Sequence, residues 1–326
     1  MLRKVLLVLV GLVGVAVLGV VGPVLASLDW ERRHAAATAA LPLFDGETEG
    51  LVRIPARGME FRARVSGLAG PREAVILLHG FPETSHMFAP LSEAAAARGH
   101  PVVAFDQRGY SPGARPEGVD AYLYPELVAD VVAVADAVGF ERFHLVGHDW
   151  GCVVGWGVAS QNPDRVLSYT AMSIPHPQAL IPALQQGLPS YVRVFTLPGV
   201  PEAMLSWGGM RRLRDDVYGH LPAEAREEYL AVFSEPGALT AALNWYRGIL
   251  RSIDAVGDAF VARVEPPVLF VWGTREPWVT EENRAAQRAY VRRIEELELD
   301  AGHSLIQERP RAVVDAALAH IQRASP

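Results

Sequence analysis

Residues Phe143 to Cys152 read FHLVGHDWGC, and this stretch decides the fold. Phe143-His144-Leu145-Val146 is a short apolar run suited to a buried strand. Gly147 and Gly151 bracket a sharp turn, and Cys152 to Ser160 (CVVGWGVAS) reads as an apolar helix. A strand, a glycine-flanked turn and a helix in that order make an elbow that lifts its central side chain above a parallel sheet. The usual elbow carries serine at its centre, and here the residue is Asp149. Serine attacks acyl carbons. A carboxylate doing the same would give an anhydride, but at an sp3 carbon bearing a leaving group it gives an ordinary alkyl ester. Asp149 therefore points to nucleophilic displacement at carbon, followed by hydrolysis of the enzyme ester. The structural alternative is that Asp149 caps the following helix, as aspartate commonly does.

Working outward, β-like runs alternate with helical ones from Leu51 onward. Leu51 to Ile54 and Phe61 to Val65 alternate apolar and polar residues, as in an antiparallel pair with one exposed face. Ala74 to Leu78 (AVILL) is continuously apolar, hence a strand covered on both faces. Pro101 to Phe105, Val166 to Met172, Val268 to Trp272 and Ile294 to Leu299 continue the series. Helical patterns fall at Ala89 to Ala97, Pro125 to Val138 and Glu281 to Arg292. This alternation predicts an α/β fold with a mostly parallel, doubly wound sheet and its ligand site beyond the strand C-termini. Residues 176–260 break the rhythm with aromatic, proline-punctuated helical sequence, too long for a loop. They are expected to form an inserted helical lid, with residues 51–175 and 261–326 as the core.

The chain has 326 residues and a formal charge of -7, enough for one large domain with an insertion or for two small domains, and without a basic footprint for nucleic acid. Its one cysteine, Cys152, excludes an intramolecular disulfide and a Cys-based zinc site. Val5 to Ala26 is apolar and free of charge, about the length of a bilayer span. Residues 1–28 are expected to be a membrane anchor, or a signal peptide cut after Ala26, and 29–50 a linker. Arg3 and Lys4 precede the run while Arg32 and Arg33 follow it, so its orientation is not set.

Several separated motifs between Leu51 and the C-terminus resemble the α/β-hydrolase superfamily, specifically its epoxide hydrolase branch. His79-Gly80-Phe81-Pro82 follows the AVILL strand, Asp149 holds the elbow, and Gly302-His303 follows the last strand run. The resemblance implies an oxyanion hole from the amides of Phe81 and Trp150, with His303 as the general base. It places the triad acid after Val268 to Trp272, where Glu276 stands instead of the commoner aspartate. Asp300 is a second candidate acid and reads as a solvated turn residue. Two lid tyrosines would donate to the epoxide oxygen: Tyr191 in PSYVRVFTLPG and Tyr246 in the Asn244-Trp245-Tyr246-Arg247 segment. His79, Pro82 and Trp245 are expected at the substrate pocket, His79 as a structural histidine bonded to loop backbone.

The activity so implied is hydrolysis of a lipophilic epoxide to a vicinal diol, with water as the second substrate and without cofactor or metal. The alternatives are a dehalogenase using the same aspartate and a silent membrane-tethered binding protein of this fold. A dehalogenase typically carries asparagine where this chain has Phe81, and needs no tyrosine donors. No dinucleotide fingerprint or phosphate-binding loop is present in the sequence.

Overall fold

The computed structural model describes residues 37–256 and 262–325. Eight strands form one sheet: β1 (Gly50–Ala56), β2 (Met59–Ser66), β3 (Ala74–Leu78), β4 (Val102–Phe105), β5 (Phe143–His148), β6 (Val166–Met172), β7 (Val268–Gly273) and β8 (Ile294–Leu299). Their spatial order is β1-β2-β4-β3-β5-β6-β7-β8. Only β2 runs against its neighbours, pairing antiparallel with both β1 and β4. The pairs from β4 across to β8 are all parallel.

The continuous apolar runs fall in the middle of the sheet, where both faces are covered. Every residue of β3, β5 and β6 is buried. The Ala89–Ala96 and Pro310–Ala324 helices pack against one another, and so do the Tyr124–Ala137 and Trp150–Gln161 helices. Chain order reverses beside β3, which has β4 on one side and β5 on the other. A crevice opens beyond the strand C-termini at such a switch point. The His79 loop after β3 and the Asp149 elbow after β5 both end there.

Between β6 and β7 the described chain is helical: Pro177–Gln186, Ser190–Phe195, Val200–Arg211, Ala223–Ser234 and Ala238–Val256, with a short π-helical turn at Arg212–Val217. Buried polar contacts fasten these helices to the sheet. Glu228 reaches Arg62 at 3.3 Å and takes a 2.7 Å hydrogen bond from Thr84, and Arg64 donates to it as well. Trp245 Nε1 donates to the Arg108 carbonyl at 2.8 Å.

Two expectations are corrected. The helix starting at Glu281 ends at Gln287 rather than Arg292. Val291 instead bridges to Val264, and the Arg292 amide donates to the Val264 carbonyl at 2.9 Å, which draws the chain extended toward β8. β5 runs two residues past Val146, to His148, so Asp149 stands directly at the strand's end. The expected anchor at residues 1–28 lies outside the described residues. Among the described residues no helix is long and apolar enough to cross a membrane.

Candidate active site

Asp149 takes φ 52° and ψ -120°, a conformation that non-glycine residues adopt only at a cost of about 1–3 kcal/mol. It precedes the Trp150–Gln161 helix, yet its side chain makes no capping bond. The carboxylate turns instead toward the His79 loop, where the Phe81 amide donates to Oδ1 at 2.8 Å. The nearby Trp150 amide also favours the charged form of this carboxylate. The glycines around the elbow answer to close approach. A Cβ on Gly80 would fall on the Asp149 carboxylate, and one on Gly151 on the Leu78 carbonyl.

His303 lies just beyond β8, with Nε2 3.3 Å from Asp149 Oδ2. Its Nδ1 pairs with Oε2 of Glu276, which is buried in the turn after β7. Burial by itself would lower the pKa of His303, but hydrogen bonds and charge from Asp149 and Glu276 outweigh it and raise the pKa well above the usual histidine value. Burial likewise disfavours ionised Asp149, while the His303 bond, the His303 and His148 charges and the Trp150 amide hold its pKa below the ordinary carboxylate range. Asp300, the other candidate acid, sits on the surface, paired with Arg275 and with Arg309 at 3.4 Å. It does not reach His303.

Of the four tyrosines in the helical insertion, Tyr191 and Tyr246 lie within the influence of the Asp149 charge. The Tyr246 ring stands edge-on to Trp150 with centroids 4.8 Å apart. Burial, followed by the Asp149 charge and Tyr191, raises the Tyr246 pKa well above its normal value. Tyr191 remains 43% exposed, and burial of its hydroxyl end with the Asp149 and Glu276 charges shifts it upward too. Both hydroxyls thus keep their protons at neutral pH.

Not every expected residue reaches the slot. His79 and Trp245 are fully buried. The ring nitrogens of His79 are engaged by the Gly80 carbonyl at 3.0 Å and the Gln107 amide at 3.0 Å, as a loop-bracing histidine should be. Trp245 packs behind Trp150 and Tyr110, so its pocket assignment is replaced by a supporting one. Pro82 is half-buried, and its carbonyl accepts from the Tyr218 hydroxyl.

Three residues that sequence reasoning missed hold His303 in place. The His303 carbonyl accepts at 2.8 Å from both Ser173 Oγ and His148 Nε2. Ser173 adopts φ 69° to make that contact. Glu83 lies 3.4 Å from His148 Nδ1 and accepts from Gln307 at 2.7 Å, tying the His79 loop to the chain after His303. No local sequence signal marks these contacts. Among the described residues no group of His, Cys, Asp and Glu is gathered to hold a metal ion.

The strand order and the aspartate elbow at the end of β5 are those of a hydrolase of the α/β-hydrolase class, and the family model for the alpha/beta hydrolase fold matches residues 73–198. The chain is 34% identical over 313 residues to epoxide hydrolase A of Mycobacterium tuberculosis, covering 83% of this chain and 96% of that one. Human epoxide hydrolase 4 is 29% identical over 300 residues, covering 86% of this chain and 80% of its own. The crystal structure of epoxide hydrolase A from Mycobacterium thermoresistibile superposes with a TM-score of 0.71 at 29% identity, over 86% of this chain and 99% of that one. This chain belongs to the epoxide-hydrolase-like family of α/β-hydrolases.

Proposed function

We propose that the protein hydrolyses lipophilic epoxides to vicinal diols through an alkyl ester on Asp149. The observation that carries this reading is the clustering of two protonated tyrosines beside the elbow, Tyr246 against Trp150 at 4.8 Å and Phe81 at 5.7 Å and Tyr191 against Phe195 at 5.7 Å, with the Asp149 charge acting on both. An opening epoxide needs a proton at the oxygen that leaves carbon but stays in the molecule. A halide needs none, and the Phe81 side chain has no donor to offer one.

In the first half-reaction Asp149 Oδ2 forms a bond to one ring carbon as that carbon's bond to oxygen breaks. The alkoxide takes a proton from Tyr191 or Tyr246. Oδ1, already against the Phe81 amide, becomes the ester carbonyl. Esterification removes the carboxylate charge that held a proton on His303, so that proton passes to the tyrosinate and the neutral imidazole becomes free to act as a base. In the second half-reaction His303 takes a proton from water, and the resulting hydroxide bonds to Cγ of Asp149. The Phe81 and Trp150 amides hold the oxyanion. The diol oxygen leaves with the proton from His303, and the proton left on the re-formed carboxyl passes to His303, restoring the resting pair.

His303→Gln tests the scheme, because it spares the first half and removes the base of the second. Mass spectrometry after incubation with an epoxide should find a stable adduct on the peptide holding Asp149. A protein that stays unmodified would refute the assignment.

The proposal extends to a membrane tether through residues 5–26, supported by their charge-free apolar run. Retention of the full chain in carbonate-washed membranes supports it, and release into the supernatant opposes it.

A further inference from the structure

The aromatic residues over Asp149 are distributed unevenly. On one side Phe195 packs its ring against Phe81 at 5.6 Å and against both donors, Tyr246 at 5.1 Å and Tyr191 at 5.7 Å. Phe233 closes behind Phe81 at 5.7 Å and is only 2% exposed, and Tyr246 is only 6% exposed. Phe195 is half-buried, and the cluster is more open around Tyr191. Tyr191 and the His303 side chain are 43% and 37% exposed there, and Trp278, half-buried, stands 5.9 Å from Tyr191.

We infer that the Phe195 ring is the inner wall of the slot and makes the enzyme selective for epoxides substituted at one carbon only. The inference rests on the epoxide-opening reading. With the ring oxygen between the two tyrosines and one carbon over Asp149, a single substituent can run out past Tyr191 and Trp278. A second substituent, on the other carbon, would have to enter the space that Phe195 fills. Rings packed edge to face around it cannot yield without displacing a tyrosine donor. Phe195 thus sets specificity by shape, and the same contacts hold the two hydroxyls at a fixed spacing.

The test compares styrene oxide with its trans-β-methyl analogue, using the full chain and its Phe195→Ala variant. The wild type should favour styrene oxide in kcat/KM by at least about tenfold, the range of a misfitting methylene in an apolar pocket. Phe195→Ala should shrink that ratio to about threefold or less, chiefly by raising kcat/KM for the methyl analogue. Phe195→Leu keeps an apolar filler and should move the ratio part of the way, which serves if the alanine variant folds poorly by circular dichroism. Equal wild-type rates on the two compounds, or an unchanged ratio in the folded variants, would overturn the inference while leaving the activity intact. Hydrolysis of neither compound by the wild type would overturn the activity and this inference with it.

Discussion

The backbone amide of Phe81 donates to Oδ1 of Asp149 at 2.8 Å, so the proposed oxyanion donor is already engaged by the carboxylate of the proposed nucleophile. The resting carboxylate is thereby oriented for both half-reactions, with Oδ2 left toward His303. The strained φ of Asp149 stands against this benefit, as local strain often does at working sites.

Gly80→Ala should break that relationship without straining the backbone. The added methyl group would meet the Asp149 carboxylate. A displacement of about 1 Å in a reacting group can cost roughly a hundredfold in rate, and the alkylation step should fall by at least that much. Stopped-flow tryptophan fluorescence measures it, and a rate within threefold of wild type would show that the contact does not matter.

Glu276→Gln should keep the shape of the pair with His303 but lose its charge. In serine triads the equivalent change costs on the order of 10⁴-fold, and here ester hydrolysis should slow by roughly a hundredfold or more while ester formation changes little. Asp300→Asn should leave both steps unaltered, since its partners are surface arginines. The reverse pattern would transfer the acid's role to Asp300.

Tyr246→Phe removes one proton donor and keeps the ring against Trp150. Oxyanion donors are typically worth about 2.7–4 kcal/mol. With Tyr191 compensating in part, alkylation should fall by roughly tenfold to a few hundredfold. The double Phe variant should be nearly inactive in epoxide opening. Unimpaired opening by a folded double variant would remove the tyrosines from the mechanism.

The pH dependence should differ between the two halves. In the free enzyme the Asp149 and Glu276 carboxylates raise the His303 pKa against the opposing effect of burial. In the alkyl ester the Asp149 charge is gone, so the pKa must fall. Single-turnover ester hydrolysis should rise with pH through an inflection below the His303 titration seen by NMR in the free enzyme. An inflection at or above that titration would contradict the scheme.

Glu228→Ala tests how the helical insertion is held. It would leave Arg62 and Arg64 without their shared carboxylate in a largely buried setting. Breaking a buried pair from one side typically costs about 3–5 kcal/mol, and chemical denaturation should show a loss of that order. A loss below about 1 kcal/mol would place the contact among surface pairs of little consequence.

What the sequence determined by itself was carried by neighbouring residues. Apolar runs such as Ala74 to Leu78 can only be strands covered on both faces, and these coincide with the strands observed. The glycine-bracketed elbow, the His79 loop and the His303 turn each depend on a few adjacent residues whose backbone needs are local. Tertiary structure decided what depends on distant pairing. The grip of His148 on His303 joins residues 155 positions apart, and Glu83 to Gln307 spans 224. Neither spacing leaves a periodic trace. Likewise His79 and Trp245 bear the right chemistry for a pocket, but only packing turns them into its support. The Glu281 helix stops at Gln287 because Val264 supplies a bridge partner that no helical pattern could foretell. Local conformation is written in short-range sterics and periodicity, while the site's second layer arises when separate loops meet over the switch point of the sheet.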